Sequence, residues 1–108
     1  MSPPDLGELM AKAKEVQERL AEVQRDLARR RVEGSAGGGM VTAVASGELR
    51  ILELRIEPSL IEGGDREMLQ DLAAAAVNAA LANAQRMIQE EMQRASSGLG
   101  LPGFGGES

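Results

Sequence analysis

Cysteine, histidine, tryptophan and tyrosine are all missing from the 108 residues, and Phe104 is the one aromatic side chain. Without cysteine there is no disulfide framework, no thiol nucleophile and no thiolate metal site. Without histidine the commonest neutral-pH acid/base and the commonest metal ligand are gone. A single phenylalanine cannot build an aromatic platform for stacked bases. Long apolar runs are missing as well. The longest uncharged helical stretch, Leu72 to Gln85, has 14 residues, against about 20 for a membrane span. Residues 1–10 lack the basic-then-apolar order of a secretory signal. These absences predict a soluble intracellular protein with no cofactor, no small-molecule substrate, no membrane partner and no catalytic or metal-binding residue.

Bulk is scarce too. Apolar residues make up 43% of the chain, but sixteen of them are alanine. One domain of this length has little volume for a core of its own. The expectation is an oligomer.

What is present is helical periodicity. Leu6, Leu9, Ala13, Val16, Leu20, Val23 and Leu27 alternate spacings of three and four, the seam of a coiled coil. Pairs such as Glu8–Lys12, Glu15–Arg19 and Asp26–Arg30 sit four apart and favour a helix. A rod from Leu6 to Arg31 would be roughly 39 Å long at 1.5 Å per residue. Arg31–Ser35 reads as a short strand, and the glycine-rich Gly34–Gly39 as a hairpin turn. A strand follows at Met40–Ala45, then a turn at Ser46-Gly47. The stretch Glu48–Ile56 is a third strand with Leu52, Leu54 and Ile56 on its core face, ended by Pro58. Asp65 is placed to cap a second long helix, which Ser96-Ser97-Gly98 closes. Its alanine-rich centre carries one stripe of Leu69, Leu72, Ala76, Ala79 and Asn83, and another of Val77, Leu81, Ala84, Ile88 and Met92. Leu72, Ala76 and Leu81 are expected to pack in the core or at a dimer contact, together with Leu52, Leu54 and Ile56. Asn78 and Asn83 fit a role in setting helix register.

The order is α-β-β-β-α, an α+β fold with two long helices flanking a small antiparallel three-stranded sheet. Residues 1–96 form one domain, and 97–108 a flexible glycine-rich tail. Three short strands cannot cover two long helices, so the uncovered seams call for a second copy; a symmetric homodimer is the simplest solution.

In this order the segments resemble the YbaB/EbfC family of bacterial nucleoid-associated, DNA-binding proteins. The resemblance is carried by Leu6-Gly7-Glu8-Leu9-Met10-Ala11-Lys12-Ala13, by Val32-Glu33-Gly34-Ser35-Ala36-Gly37-Gly38-Gly39-Met40-Val41 and by Leu54-Arg55-Ile56-Glu57-Pro58-Ser59-Leu60. It continues through Asp65-Arg66-Glu67-Met68-Leu69-Gln70-Asp71-Leu72, Asn78, Ser96-Ser97-Gly98-Leu99 and Leu101-Pro102-Gly103-Phe104. The resemblance implies a tweezer-like homodimer, double-stranded DNA as partner with loose sequence preference, and a cytoplasmic place at the nucleoid. It supplies no set of contact residues.

Charge must therefore be read locally. The net charge is −5, which opposes a polyanion. Yet Asp5 to Arg31 holds seven basic residues against six acidic ones, and the remainder holds five against eleven. Arg25, Arg29, Arg30 and Arg31 are the candidate phosphate contacts, since arginine forks onto phosphate oxygens and displaced counterions favour binding. Lys12, Lys14 and Arg19 are added along the helix, with Arg86 and Arg94 as weaker candidates. The same charges also fit a solvated helix face. A prefoldin-like helical chaperone or adaptor is the competing reading, with Leu6, Leu9 and Met10 as its only apolar tip.

Overall fold

A computed structural model describes residues 5–99. The elements are α1 (Leu6–Arg29), β1 (Arg31–Ala36), β2 (Val41–Ser46), β3 (Ile51–Ile56), α2 (Pro58–Glu62) and α3 (Arg66–Leu99). The strands form one antiparallel sheet in the order β1-β2-β3. This is the α+β layout expected from the sequence, with one added helical turn. α3 runs on through Leu99, past the stop expected at Ser96-Ser97-Gly98, so positions 97–99 of the expected tail are helical and the rest lies outside the described residues.

Both long helices start on an aspartate. Asp5 accepts from the Glu8 amide at 2.7 Å, and Asp65 from the Met68 amide at 3.0 Å, each satisfying an amide the helix leaves unpaired. α1 stops two residues before the expected Arg31, because Arg30 is already extended and Arg31 opens β1. The Leu27 carbonyl accepts from the amides of Arg30 and of Gly47, the latter at 3.0 Å. The β2–β3 turn thereby closes the end of α1. Pro58 does more than end β3. It occupies the first turn of α2, where its missing N–H is no loss, and α2 sets Leu60 (4% exposed) into the core.

The core is a face of small residues. Val41, Ala43 and Ala45 of β2 meet Ala76, Ala80 and Ala84 of α3, with Val32, Ala36, Ile56, Leu69, Leu72 and Leu81 packed around them. Ala76, Ala80 and Ala84 recur every four residues, so a single helix stripe lies on the sheet. Gly34 permits the approach. A Cβ there would stand 2.1 Å from the Ala80 nitrogen and 2.5 Å from the Ala79 carbonyl carbon. Gly34 therefore sits inside β1, as the strand expected over Arg31–Ser35 has it, and not in the hairpin turn also expected over Gly34–Gly39. The turn itself is Gly37–Gly39, all three with positive φ. Asn83 fixes the register by donating to the Glu33 carbonyl at 2.8 Å, as anticipated for an asparagine in the alanine run.

α3 lies over β1 and β2 and leaves β3 at the sheet edge. The core face expected of Leu52, Leu54 and Ile56 is consequently realised within the chain only at Ile56. Leu52 is 48% exposed and Leu54 41% exposed. A register shift between Val44 and Ala45 adds to this: Val44 pairs with Glu53 and Ala45 with Ile51, leaving Leu52 without a partner. Such a bulge breaks strict alternation.

The molecule is long and thin, 74 × 29 × 15 Å, with a radius of gyration of 20.5 Å. A globular domain of about 100 residues has roughly 13 Å. Substituting Gly34→Ala should lower unfolding stability by at least about 1–3 kcal/mol, the usual penalty of overpacking, because backbone must move to admit the methyl group. Urea melts followed by circular dichroism check this; a variant as stable as the parent would contradict the close approach.

Candidate nucleic-acid interface

Arg30 and Arg31 close the run of cations on α1, but both are engaged at the base of the molecule. Arg30 Nη1 donates to Glu91 Oε2 of α3 at 3.1 Å. Arg31 Nη2 donates to Glu53 Oε1 of β3 at 3.1 Å. Arg55 then bonds Glu53 through Nε at 2.8 Å and Glu33 through Nη2 at 3.1 Å. Arg31, Glu53, Arg55 and Glu33 thus form a charge ladder across all three strands, on the sheet face turned away from α3. Val44, flanked across both ladders by Glu33 and Glu53, is 1% exposed. Ser35 and Thr42 join their hydroxyls on the same face at 3.1 Å. The ladder could not be read from the sequence, because it joins residues 22 apart through a pairing that only the folded sheet creates.

Protonation follows these bonds. The hydrogen bond from Arg55, reinforced by the charges of Arg55 and Arg31, holds the Glu53 carboxyl below the usual carboxylate value of 4.5. Glu91 is lowered in the same direction, first by the hydrogen bond from Arg30 and then by Arg94. Arg94, one turn along α3, also bonds Glu91.

The other α1 cations are free of such partners. Among the described residues, Lys12, Lys14, Arg19 and Arg25 form no ion pair, and Arg29 reaches only Asp26 at 4.0 Å, both side chains about three-quarters exposed. At 3.6 residues per turn, Lys12 and Arg19 fall on one stripe of α1. Lys14, Arg25 and Arg29 fall on another, roughly opposite. The first stripe flanks α3, where Arg19, Glu22, Val23 and Asp26 line a groove with Glu91, Arg94 and Ala95. The second faces away from α3. One DNA backbone cannot follow both stripes of a single helix, so the candidates on α1 divide into two sets, with Arg30 apart at the end of the helix and Arg31 on β1. On α3, Arg86 is exposed.

A second feature is the apolar edge, to which Leu52 and Leu54, expected in the core or at a dimer contact, belong. Leu49, Ile51, Leu52 and Leu54 are each between 38% and 48% exposed along β3 and the turn before it. β3 has a hydrogen-bonded neighbour on one side only.

The chain matches the model of the YbaB/EbfC DNA-binding family over residues 1–99. It belongs to that family. Among YbaB/EbfC relatives, a nucleoid-associated protein of Thermoanaerobacter pseudethanolicus is 40% identical over 93% of this chain and 90% of its own length. One from Desulfotalea psychrophila is 43% identical over 91% of this chain and 92% of its own. An uncharacterized Helicobacter pylori protein of known crystal structure shares the fold at a TM-score of 0.66 with 20% identity, covering 90% of this chain and 98% of that one. Among the described residues, no helix is long and apolar enough to cross a membrane.

The Glu91 pairing has a pH signature. Because the folded carboxyl titrates below 4.5, its contribution to stability is complete above that value and is lost as pH falls through the lowered native value. Glu91→Gln should melt slightly below the parent at neutral pH, and the gap should close under acid conditions. Thermal melts across that range check the sign; a gap that widens on acidification would refute the pairing.

Proposed function

We propose that the protein binds double-stranded DNA as a homodimer, mainly through phosphate contacts with loose sequence preference, organising the nucleoid or modulating gene expression in the cytoplasm. The observation that carries this is the set of unpaired cations on α1 in a chain that is anionic overall and belongs to a DNA-binding family. Phosphate contact without base readout needs cations that can leave water without abandoning a carboxylate. Lys14 and Arg25 meet that condition, and Arg29, held only by a 4.0 Å approach to Asp26, extends their stripe; Lys12 and Arg19 meet it on the other. Arg30 and Arg31 would first have to give up Glu91 and Glu53.

The dimer follows from β3. An apolar edge strand with unpaired backbone groups is a template for another strand. Two-fold pairing of β3 with β3 of a second copy would join two three-stranded sheets, bury Leu52 and Leu54, and display two α1 rods. No enzymatic step enters this reading.

Two experiments test it separately. In gel shifts with random-sequence duplex, about six neutralised phosphates per dimer would weaken binding about 10³-fold between about 50 and 200 mM salt. Replacing Lys14, Arg25 and Arg29 together with alanine should flatten that dependence. Affinity indifferent to salt, or a triple variant that binds like the parent, would sink the phosphate mechanism. For the dimer, Leu54→Asp places a charge at the edge, and its mass by light scattering should fall to that of one chain. An unchanged mass would move the interface elsewhere.

The chaperone reading keeps one observation of its own: Leu6, Leu9 and Met10 stand 72%, 52% and 64% exposed at the start of α1. Suppression of client aggregation, in the absence of duplex binding, would favour it.

A further inference from the structure

The first turns of α1 present an apolar seam that nothing in the described chain covers. Leu27 at the base is buried, while Leu9 and Leu6 at the far end are 52% and 72% exposed. Ala13 lies between them and Val16, which is half-buried. The seam keeps one phase along the whole helix, so its outer half points to the same side as the half that is covered.

The helix α3 shows what lies nearest. It runs back along α1, as the Arg30–Glu91 bond and the groove shared by Val23 and Ala95 record. Eight residues beyond Glu91, α3 reaches Leu99, its last position. At 1.5 Å per residue on both helices, that end stands beside α1 at about residues 18–22. Residues 100–108 follow, and they carry Leu101 and Phe104 with no charged side chain before Glu107. From residue 20 to Leu6 is about 21 Å along a helix. Nine extended residues span up to about 30 Å, and the five from Leu99 to Phe104 about 17 Å. Phe104 is therefore within reach of Leu9, and the tail begins beside the seam it would cover.

We propose that the C-terminal segment 100–108 docks on the outer α1 seam of its own chain, with Leu101 and Phe104 against Ala13, Leu9 and Leu6. Tethering favours this occupant over a free chain, since the tail is held at high effective concentration. It also gives a place to the chain's one aromatic side chain. The docked tail lengthens the packed part of the arm and withdraws the apolar tip from solvent.

The chain contains no tryptophan, so Phe104→Trp in the full-length protein is a clean reporter. Its emission should be shifted to the blue, and acrylamide should quench it several-fold less than in urea. Adding Leu6→Ser and Leu9→Ser, both at exposed positions, should return emission and quenching to the values of a solvated indole while helical circular dichroism is kept. Mixing the Phe104→Trp chain with a large excess of the Leu6→Ser/Leu9→Ser chain should change nothing. A tryptophan already solvated in the parent background, or one whose protection ignores the serine substitutions, would overturn the proposal. So would protection lost on mixing, which would place the tail on another copy.

Discussion

The fold depends on one close contact, the approach of α3 to β1 at Gly34 and Ala80. A methyl group at Gly34 would fall inside the helix backbone, so the two elements meet almost main chain to main chain. Alanines at 76, 80 and 84 complete the same surface from the helix, and Ala43 and Ala45 from the sheet. A core made this way contains little bulky volume, and dispersion between closely packed small groups takes the place of large side chains. It accounts for the buried alanines of β2 and α3, and for a molecule only 15 Å across its thinnest axis.

The same contact decides what remains uncovered. A helix seated tightly over β1 and β2 cannot also shield β3, so the leucines of that strand are left at an edge. A helix of 34 residues is about 51 Å long and must run past a sheet of six-residue strands, leaving its far end to travel beside α1. The exposed edge and the projecting arm are thus two results of one packing choice.

Much of this was legible in the sequence, for physical reasons that can be named. The seam of α1, the Asp65 cap and the β-branched strands are local signals, and each gave the right element within a few residues. The short helix α2 was hidden because Pro58 both ends strands and begins helices, and only its neighbours decide which. Gly34 fitted both a strand and a turn, because the contact that decides for the strand lies some 46 positions along the chain. The pairing of Arg30 and Arg31 with Glu91 and Glu53 has the same character. A run of cations looks continuous in one dimension, while the fold assigns its last members to the base and leaves the earlier ones on two opposite stripes. The chain's family was legible throughout, because several modest motifs kept their order over nearly its whole length.

The junction of Leu27 and Gly47 has a mechanical meaning. Gly47 touches the α1 terminus so closely that a Cβ there would stand 2.1 Å from the Leu27 carbonyl oxygen, and a single backbone hydrogen bond ties the two together. The 24 residues of α1 extend about 36 Å from that point. A rotation of about 5° at this fulcrum sweeps the helix start through about 3 Å, on the scale of a base-pair step. The rod is a lever with a main-chain contact at Gly47 for its fulcrum, and its lower half is braced by α3 through the Arg30–Glu91 bond.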